Sequence, residues 1–389
     1  MTYRTRCFLL NHIKDTLNFY DKSIDPAGGY YPSYKDDGTI YNRENRHLIS
    51  TTRFIYNYSM GYIYFKDEDY LKRTHHGLQY LRNVHRNCET GGYAWQIDDG
   101  QVTDDTNHCY GLAFVLLAYS CSFKAGIEQA KEWIQETFDL MEKYFWFEDK
   151  GLYACEATGD WKLKDYRGQN DNMHACEALL VAYQATNQLI YLDKAKRIAE
   201  VMTQCHEQLN NQIWEHYHVD WTPDFQYNKN VKTDRRRPWG IQTGHQTEWA
   251  KLLLILDRYD HQQWHIERAK ALFDRAIQYG WDQIHGGLIY GYDIQGNLYD
   301  GEKYFWVQAE SFAAAALLAH QFNDENGYYW QIYEQIWNYV WKYFVDHQYG
   351  AWFRLLKQNN EKYSDEKSPV GKTDYHTMGA CYEVLNVII

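Results

Sequence analysis

The chain has 389 residues, a net charge of −12, and 15 Trp, 37 Tyr and 16 Phe. The acidic balance argues against nucleic acid as a partner, since a protein that follows phosphates needs basic clusters. No stretch reaches the roughly 18 consecutive apolar residues of a membrane span, so no membrane partner is expected.

At the N-terminus, Tyr3, Arg4 and Arg6 are followed by Asn11, His12, Lys14 and Asp15, which break the apolar run too early for a signal peptide. Six copies of one pattern then run through the chain, each starting with a glycine or amide followed by aromatic or apolar residues. They are Gly28-Gly29-Tyr30-Tyr31, Gly91-Gly92-Tyr93-Ala94-Trp95, Gly151-Leu152-Tyr153, Asn211-Gln212-Ile213-Trp214, Gly286-Gly287-Leu288-Ile289-Tyr290 and Gly350-Ala351-Trp352-Phe353. Each reads as a short strand or turn. The period is roughly 60–75 residues, longer than most solenoid units.

Each short strand leads into an apolar helix. These candidate inner helices span 49–65, 105–123, 170–186, 244–258, 304–322 and 374–389. Their later turns are nearly wholly apolar, as in Leu112-Ala113-Phe114-Val115-Leu116-Leu117-Ala118, and a helix apolar all round is buried on every side. The candidate outer helices span 6–20, 69–87, 125–147, 191–210, 262–281 and 326–348. They mix charge with apolar residues at helical spacing, as in Ala125, Ile127, Ala130, Trp133, Ile134 and Phe138. Twelve helices in six hairpins close into a ring. The predicted fold is therefore an all-α (α/α)6 barrel of six inner and six outer helices, with short β-hairpins or strands at one end. No linker or low-complexity segment interrupts it, so one catalytic domain over 1–389 is expected. The eight cysteines, Cys7, Cys88, Cys109, Cys121, Cys155, Cys176, Cys205 and Cys381, form no CxxC pair, and several fall inside apolar helices. Buried reduced thiols and a cytoplasmic location are expected.

The first turns of the inner helices are polar where their later turns are apolar. Arg53 and Asn57 open the first, Asp105 and His108 the second, and Asn170, His174 and Glu177 the third. His245 and Glu248 open the fourth, Trp306, Gln308 and Glu310 the fifth, and His376 the sixth. Spacings of three and four set such pairs on one helix face. Any one of these has an ordinary reading as a cap, a dipole partner or an ion pair. Their recurrence in all six repeats predicts a polar pocket on an apolar floor at one end of the barrel. Arg235-Arg236-Arg237 before Pro238 reads as a solvated or salt-bridged loop. His216-Tyr217-His218 is an HxH, but there is no HExxH or clustered Cys/His spacing, and no P-loop or GxGxxG, so neither metal nor nucleotide cofactor is expected. Histidines near neutral pH and six helix N-termini suit proton transfer on a neutral polyol through an oxyanion, which Arg53 could hold.

Three segments carry a resemblance. Arg167-Gly168-Gln169-Asn170-Asp171-Asn172-Met173-His174-Ala175-Cys176-Glu177, Gly244-His245-Gln246-Thr247-Glu248-Trp249-Ala250-Lys251 and Lys303-Tyr304-Phe305-Trp306-Val307-Gln308-Ala309-Glu310 resemble motifs of the N-acylglucosamine 2-epimerase superfamily. Arg237-Pro238-Trp239-Gly240 running into Gln242 is most similar to its mannose-isomerising branch. The resemblance implies the (α/α)6 barrel and a metal-free, cofactor-free enzyme acting on a free monosaccharide, monomeric or homodimeric. The reaction implied is aldose–ketose isomerisation between D-mannose and D-fructose, extending to D-lyxose and D-xylulose, through a cis-enediolate. His245 and His376 match the acid–base histidines. We read His376 as the C2/C1 base and His245 as the ring-opening group, with the reverse assignment open. Glu248 would orient or polarise a catalytic histidine. Arg53, His174 and Glu248 match sugar-binding residues, Asn170, Trp306 and Glu310 line the pocket, and either His108 or Tyr110 supplies a further contact. Three rivals remain: a 2-epimerase of the same superfamily, a glycoside hydrolase using Glu248 and Glu310, and a non-catalytic sugar-binding protein.

Overall fold

The computed structural model describes residues 2–204, 209, 211–231, 234, 236–324 and 327–388. Cys205 and Arg235, the 205–208 and 210 part of the expected helix 191–210, residue 326 of the expected helix 326–348, and Ile389 lie outside the described residues.

Twelve α-helices occur among the described residues. In chain order they are α1 (Arg6–Phe19), α2 (Leu48–Phe65), α3 (Glu68–Tyr80), α4 (Cys109–Lys124), α5 (Ala130–Tyr144), α6 (Gln169–Thr186), α7 (Leu189–Gln204), α8 (Thr243–Asp257), α9 (Gln263–Gly280), α10 (Phe305–Gln321), α11 (Tyr328–Tyr343) and α12 (Tyr375–Leu385). The even-numbered helices form the inner ring. Each packs on the next, and α12 packs back on α2 to close it. Every other inner helix pairs with the outer helix that follows it in the chain, and α12 pairs with α1, so the chain starts outside and finishes inside. The stretch Leu112–Ala118 is wholly buried, as expected of a helix apolar on all faces.

A second closure runs through the short strands. The strand entering each inner helix pairs antiparallel with one from the neighbouring repeat. Asn45–His47 pairs with Gln96–Asp98, Asn107–His108 with Glu156–Ala157, Arg167–Gly168 with His216–Tyr217, Ile241–Gln242 with Gly291–Tyr292, Lys303–Tyr304 with Leu355–Leu356, and Glu366–Ser368 with Ser33–Lys35. All six inner-helix N-termini therefore lie at one end of the barrel. This pairing also corrects the expected start of the second inner helix. Asp105 and His108 precede it, because Asn107 and His108 are drawn into the sheet, and α4 starts at Cys109. The third strand–helix boundary shifts the other way, and Gln169 is already helical. The expected outer helix 69–87 ends as α3 followed by a π-turn over Leu81–His85.

The repeated glycine or amide has a backbone cause. Gly29, Gly91, Gly151, Gly287, Gly350 and Asn211 all adopt positive φ, a region glycine enters without strain and asparagine tolerates. The five glycines turn the chain into hairpins that are often one bridge long, such as Arg86 with Tyr93 or Trp281 with Leu288. Amide side chains on the inner helices then grip these hairpins through both backbone groups. Asn172 accepts from the Tyr153 N–H (2.8 Å) and donates to its carbonyl (3.0 Å). Gln246 does the same at Ile213 (2.9 and 3.0 Å), and Gln308 at Leu288 (2.9 and 2.8 Å). Gln308, expected in the polar pocket, is thus a structural clamp.

Of the described cysteines, Cys109, Cys121, Cys155, Cys176 and Cys381 are buried free thiols, while Cys7 and Cys88 are exposed. No described helix is long and apolar enough to cross a membrane.

The clamp yields a stability prediction. Gln308→Met leaves a buried N–H and a buried C=O of Leu288 without partners, at about 1–3 kcal/mol each. The variant should melt at a clearly lower temperature than the parent by circular dichroism. An unchanged melting curve would mean that the hairpin holds without the amide.

Candidate active site

The inner helices present their site residues in layers. Tyr110, Asn170, Trp306 and His376 are the second residues of α4, α6, α10 and α12, and Arg53, His174, Glu248 and Glu310 are the sixth of α2, α6, α8 and α10. Because the helices are parallel and start at one end, equal offsets converge on the barrel axis one turn apart. Gly244 allows close approach between α8 and α10, since a Cβ there would lie 2.2 Å from the Trp306 ring. That ring sits between the two candidate acid–base groups, with its centroid 5.0 Å from His245 and 5.8 Å from His376. Just before α12, Thr373 and Asp374 both take left-handed backbone. Tyr20 donates to the Asp374 carboxylate at 2.6 Å, which ties down the turn that delivers His376.

His376 lies between two partners that set its tautomer. Its Nδ1 is 2.7 Å from Glu310 Oε1, and its Nε2 is 3.4 Å from Arg53 Nη2. A guanidinium has no acceptor, so Nε2 carries the lone pair and Nδ1–H donates to Glu310. Burial pushes the His376 ring well below its ordinary value, and Arg53, His174 and Lys251 add to this. Arg53 also donates to the Tyr110 hydroxyl (3.0 Å) and to the Gly371 carbonyl. It lies between the faces of Phe114 and Tyr375, at 4.5 and 4.8 Å. His245 Nδ1 is 2.8 Å from Glu215 Oε2, with the Gln169 amide nitrogen equally close at 2.8 Å. Trp249 orients that amide by donating to its oxygen at 2.7 Å. Both catalytic candidates are therefore held by Nδ1 on a carboxylate, leaving Nε2 for chemistry. His174 Nδ1 bonds Glu177 at 3.0 Å, and burial lowers its basicity.

Beneath the histidines the floor is charged, contrary to the apolar floor expected. Lys251 Nζ lies 2.5 Å from Glu310, 3.6 Å from Glu177 and 3.9 Å from Glu248. Burial raises the Glu177 carboxyl, but Lys251 and His174 outweigh it and hold Glu177 well below the carboxylate range. Glu248 behaves oppositely. It is fully buried, neither oxygen has a hydrogen-bond partner, and burial together with Glu310 and Glu177 raises it well above its usual value. Burial raises Glu310 as well, and Lys251 opposes that rise. Removing charge by protonation is the usual outcome when buried carboxylates crowd. A cavity of about 40 Å³ reaches this layer, lined by Glu177, Lys251, Glu310 and His376 and by later turns such as Leu180, Ile255 and Glu383. It therefore approaches from the end opposite the strands.

Among the described residues, two sets bring three potential metal ligands within 4.8 Å of one another: His174, Glu177, Glu248 and Glu248, Glu310, His376. The Lys251 ammonium already occupies the midst of both carboxylate sets and competes with a dication there. The same closeness opposes a glycosidase pair, since Glu248 and Glu310 are nearer than the roughly 5–9.5 Å such carboxylates need to flank a sugar bond.

His108 stands apart from this cluster. Its ring packs on Trp95 at 4.0 Å and its Nδ1 faces Glu156 at 3.4 Å, while burial lowers its pKa to about 4. Tyr110 is the one of the two that joins Arg53 and His174. Asn170 is half-buried with an unpartnered side-chain oxygen. Arg237 bonds Glu156 and stacks on Tyr166 at 3.6 Å, which bears out the salt-bridged reading of its loop. The HxH is divided: His216 bonds Tyr166 and the Pro238 carbonyl, and His218 faces Asp224. Glu215, Gln169 and Lys251 were missed as site residues. The available signal was a charge interrupting an apolar inner helix at Lys251, and a carboxylate at the end of the fourth repeat motif at Glu215.

Comparison with known proteins agrees with this architecture. D-mannose isomerase from Marinomonas mediterranea is 49% identical over 390 residues, covering 99% of this chain and 98% of that protein. D-mannose isomerase from Thermobifida fusca is 34% identical over 292 residues, covering 72% of this chain and 70% of that protein. A crystal structure of D-mannose isomerase superposes with a TM-score of 0.97 at 49% identity, covering 99% of both chains. Residues 29–380 match the N-acylglucosamine 2-epimerase (GlcNAc 2-epimerase) family, and the chain belongs to that family.

Proposed function

We propose that this protein is an aldose–ketose isomerase that interconverts D-mannose and D-fructose without a metal or cofactor. The observation that carries the reading is His376, a neutral buried imidazole whose Nε2 faces the Arg53 guanidinium at 3.4 Å. A base beside a fixed cation is what abstraction of a proton next to a carbonyl requires, because the negative charge develops on oxygen. The name and near-complete coverage of the relative at 49% identity support the same substrate pair.

In this mechanism His245 Nε2 takes the O1 proton and passes it to the ring oxygen O5 as the C1–O5 bond breaks, and the pyranose opens to the aldehyde. His376 Nε2 takes the C2 proton. The C2–H electrons form the C1–C2 double bond, and the carbonyl oxygen becomes the enediolate oxygen held by Arg53. The proton returns from His376 to C1 on the same face, and the O2 proton moves to O1, leaving the C2 ketone. Glu248, as a neutral acid, donates a hydrogen bond to a sugar oxygen. His174, Tyr110, Trp306 and Asn170 shape the pocket around the substrate.

Product analysis in heavy water tests this reading. Mannose should give fructose with incomplete deuterium at C1, because one enclosed base carries the proton from C2 to C1. Glucose appearing as fast as fructose would instead indicate a two-base epimerase, with His245 and His376 on opposite faces. Activity should survive exhaustive EDTA treatment; loss restored by a divalent ion would defeat the metal-free scheme.

His245→Ala and His376→Ala should each fold and lose at least about 10²-fold in turnover, the lower end for a general acid–base group. His261→Ala, 70% exposed at its side chain, should retain near-normal turnover. Near-normal turnover in either pocket variant would remove that histidine from the mechanism.

Burial keeps the His376 ring well below its ordinary pKa of 6.5, so the neutral, reactive form persists as pH falls through that value. The acid limb of kcat/KM attributable to this group should lie below pH 6.5. An acid limb centred at or above 6.5, and abolished in His376→Asn, would contradict the assignment.

A further inference from the structure

Lys251 is the residue of the cluster for which the proposed chemistry has no direct use. It is the ninth residue of α8 and is buried. It faces Glu248 on its own helix, Glu177 of α6 and Glu310 of α10. Behind those carboxylates stand His174 of α6, His376 and Tyr375 of α12 and Arg53 of α2. Burying an ammonium costs several kcal/mol unless it is well paired, and its shortest contact, 2.5 Å, is to Glu310.

The chain of contacts runs Lys251, Glu310, His376, Arg53, and its two ends can only donate. Glu310 receives from Lys251 on Oε2 and from His376 on Oε1, so the pattern is consistent only when Glu310 is a carboxylate. We infer that Lys251 is a positioning residue: by holding Glu310 as a carboxylate, it locks His376 in the Nδ1–H tautomer and leaves Nε2 free to take the substrate proton. This rests on the isomerase reading for its consequence, not for its geometry. Without the ammonium, Glu310 would stand buried beside Glu177 with no cation, and a proton would be taken up. A protonated Glu310 donates to His376 Nδ1, places the ring proton on Nε2, and points it at the Arg53 donor. If the ring takes the proton instead, it becomes an imidazolium. Both outcomes remove the base.

Four measurements test this. Lys251→Met should lower kcat at pH 7 by about tenfold or more, with KM changed far less, because a base is mostly in the wrong protonation state. Its acid limb should move up by about one pH unit, and Lys251→Arg should restore both. A merely structural lysine would give a loss equal at every pH. Lys251→Ala enlarges the cavity that already reaches this position, so ethylammonium chloride should recover activity where sodium chloride at equal ionic strength does not. Finally, nitrogen-15 NMR of labelled histidine, assigned through His376→Asn, reads the tautomer in the free protein. Nδ1–H is expected in the wild type, and Nε2–H or imidazolium in Lys251→Met. A wild-type His376 protonated on Nε2, or the same tautomer in Lys251→Met, overturns the proposal even if every activity assay is silent. Wild-type protein that leaves mannose unchanged would defeat the functional reading alone, since the tautomer needs no substrate.

Discussion

Everything at the barrel axis depends on neutralising charge where water is scarce. Arg53, Lys251, Glu177, Glu248 and Glu310 are all buried or nearly so, and isolated ions there would be prohibitively costly. The arrangement answers this by setting Lys251 against Glu177 and Glu310, while burial raises the Glu248 carboxyl well above its ordinary value. The consequence is chemical as well as structural. His376 and His245 each have the Nδ1 proton fixed by a neighbouring carboxylate rather than by solvent.

The architecture makes such an assignment possible. Six parallel inner helices bring equal offsets from their N-termini to one level, and the strand pairings between successive repeats hold those N-termini in register. The amide clamps of Asn172, Gln246 and Gln308 fasten each hairpin to the helix it feeds. These clamps sit next to the site residues in sequence, so the polar first turns serve two ends: one face of the helix grips backbone and the other faces the axis. Catalytic groups on rigid helices and strands hold their geometry better than groups on loops.

The two histidines are presented alike despite different surroundings. His376 rests on Glu310 from an adjacent inner helix, His245 on Glu215 from the end of the fourth repeat motif. In both, Nδ1 is committed and Nε2 is available. Trp306 lies against both rings and offers a flat apolar surface of the kind a sugar face can meet.

The sequence alone determined the twelve helices, their alternation and the ring, because apolar periodicity and the six-fold glycine or amide motif are local signals. It also marked Arg53, His174, His245, Glu248, Trp306, Glu310 and His376, since recurrence at matching helix positions survives without coordinates, while Tyr110 came only from the resemblance, as an alternative to His108. Only the tertiary structure decided which polar groups face the axis. His108 turns to Trp95 and Glu156 because its residue belongs to a strand, and Gln308 turns to the Leu288 backbone. Nor did the pattern disclose the charged floor. Lys251 and Glu215 carry no signal that recurs between repeats, and Glu177 reads only as one polar residue of a first turn. Their partners are distant in sequence, 59 residues away for Lys251 and Glu310 and 30 for Glu215 and His245. A protonation state depends on distance and burial, which no local spacing encodes.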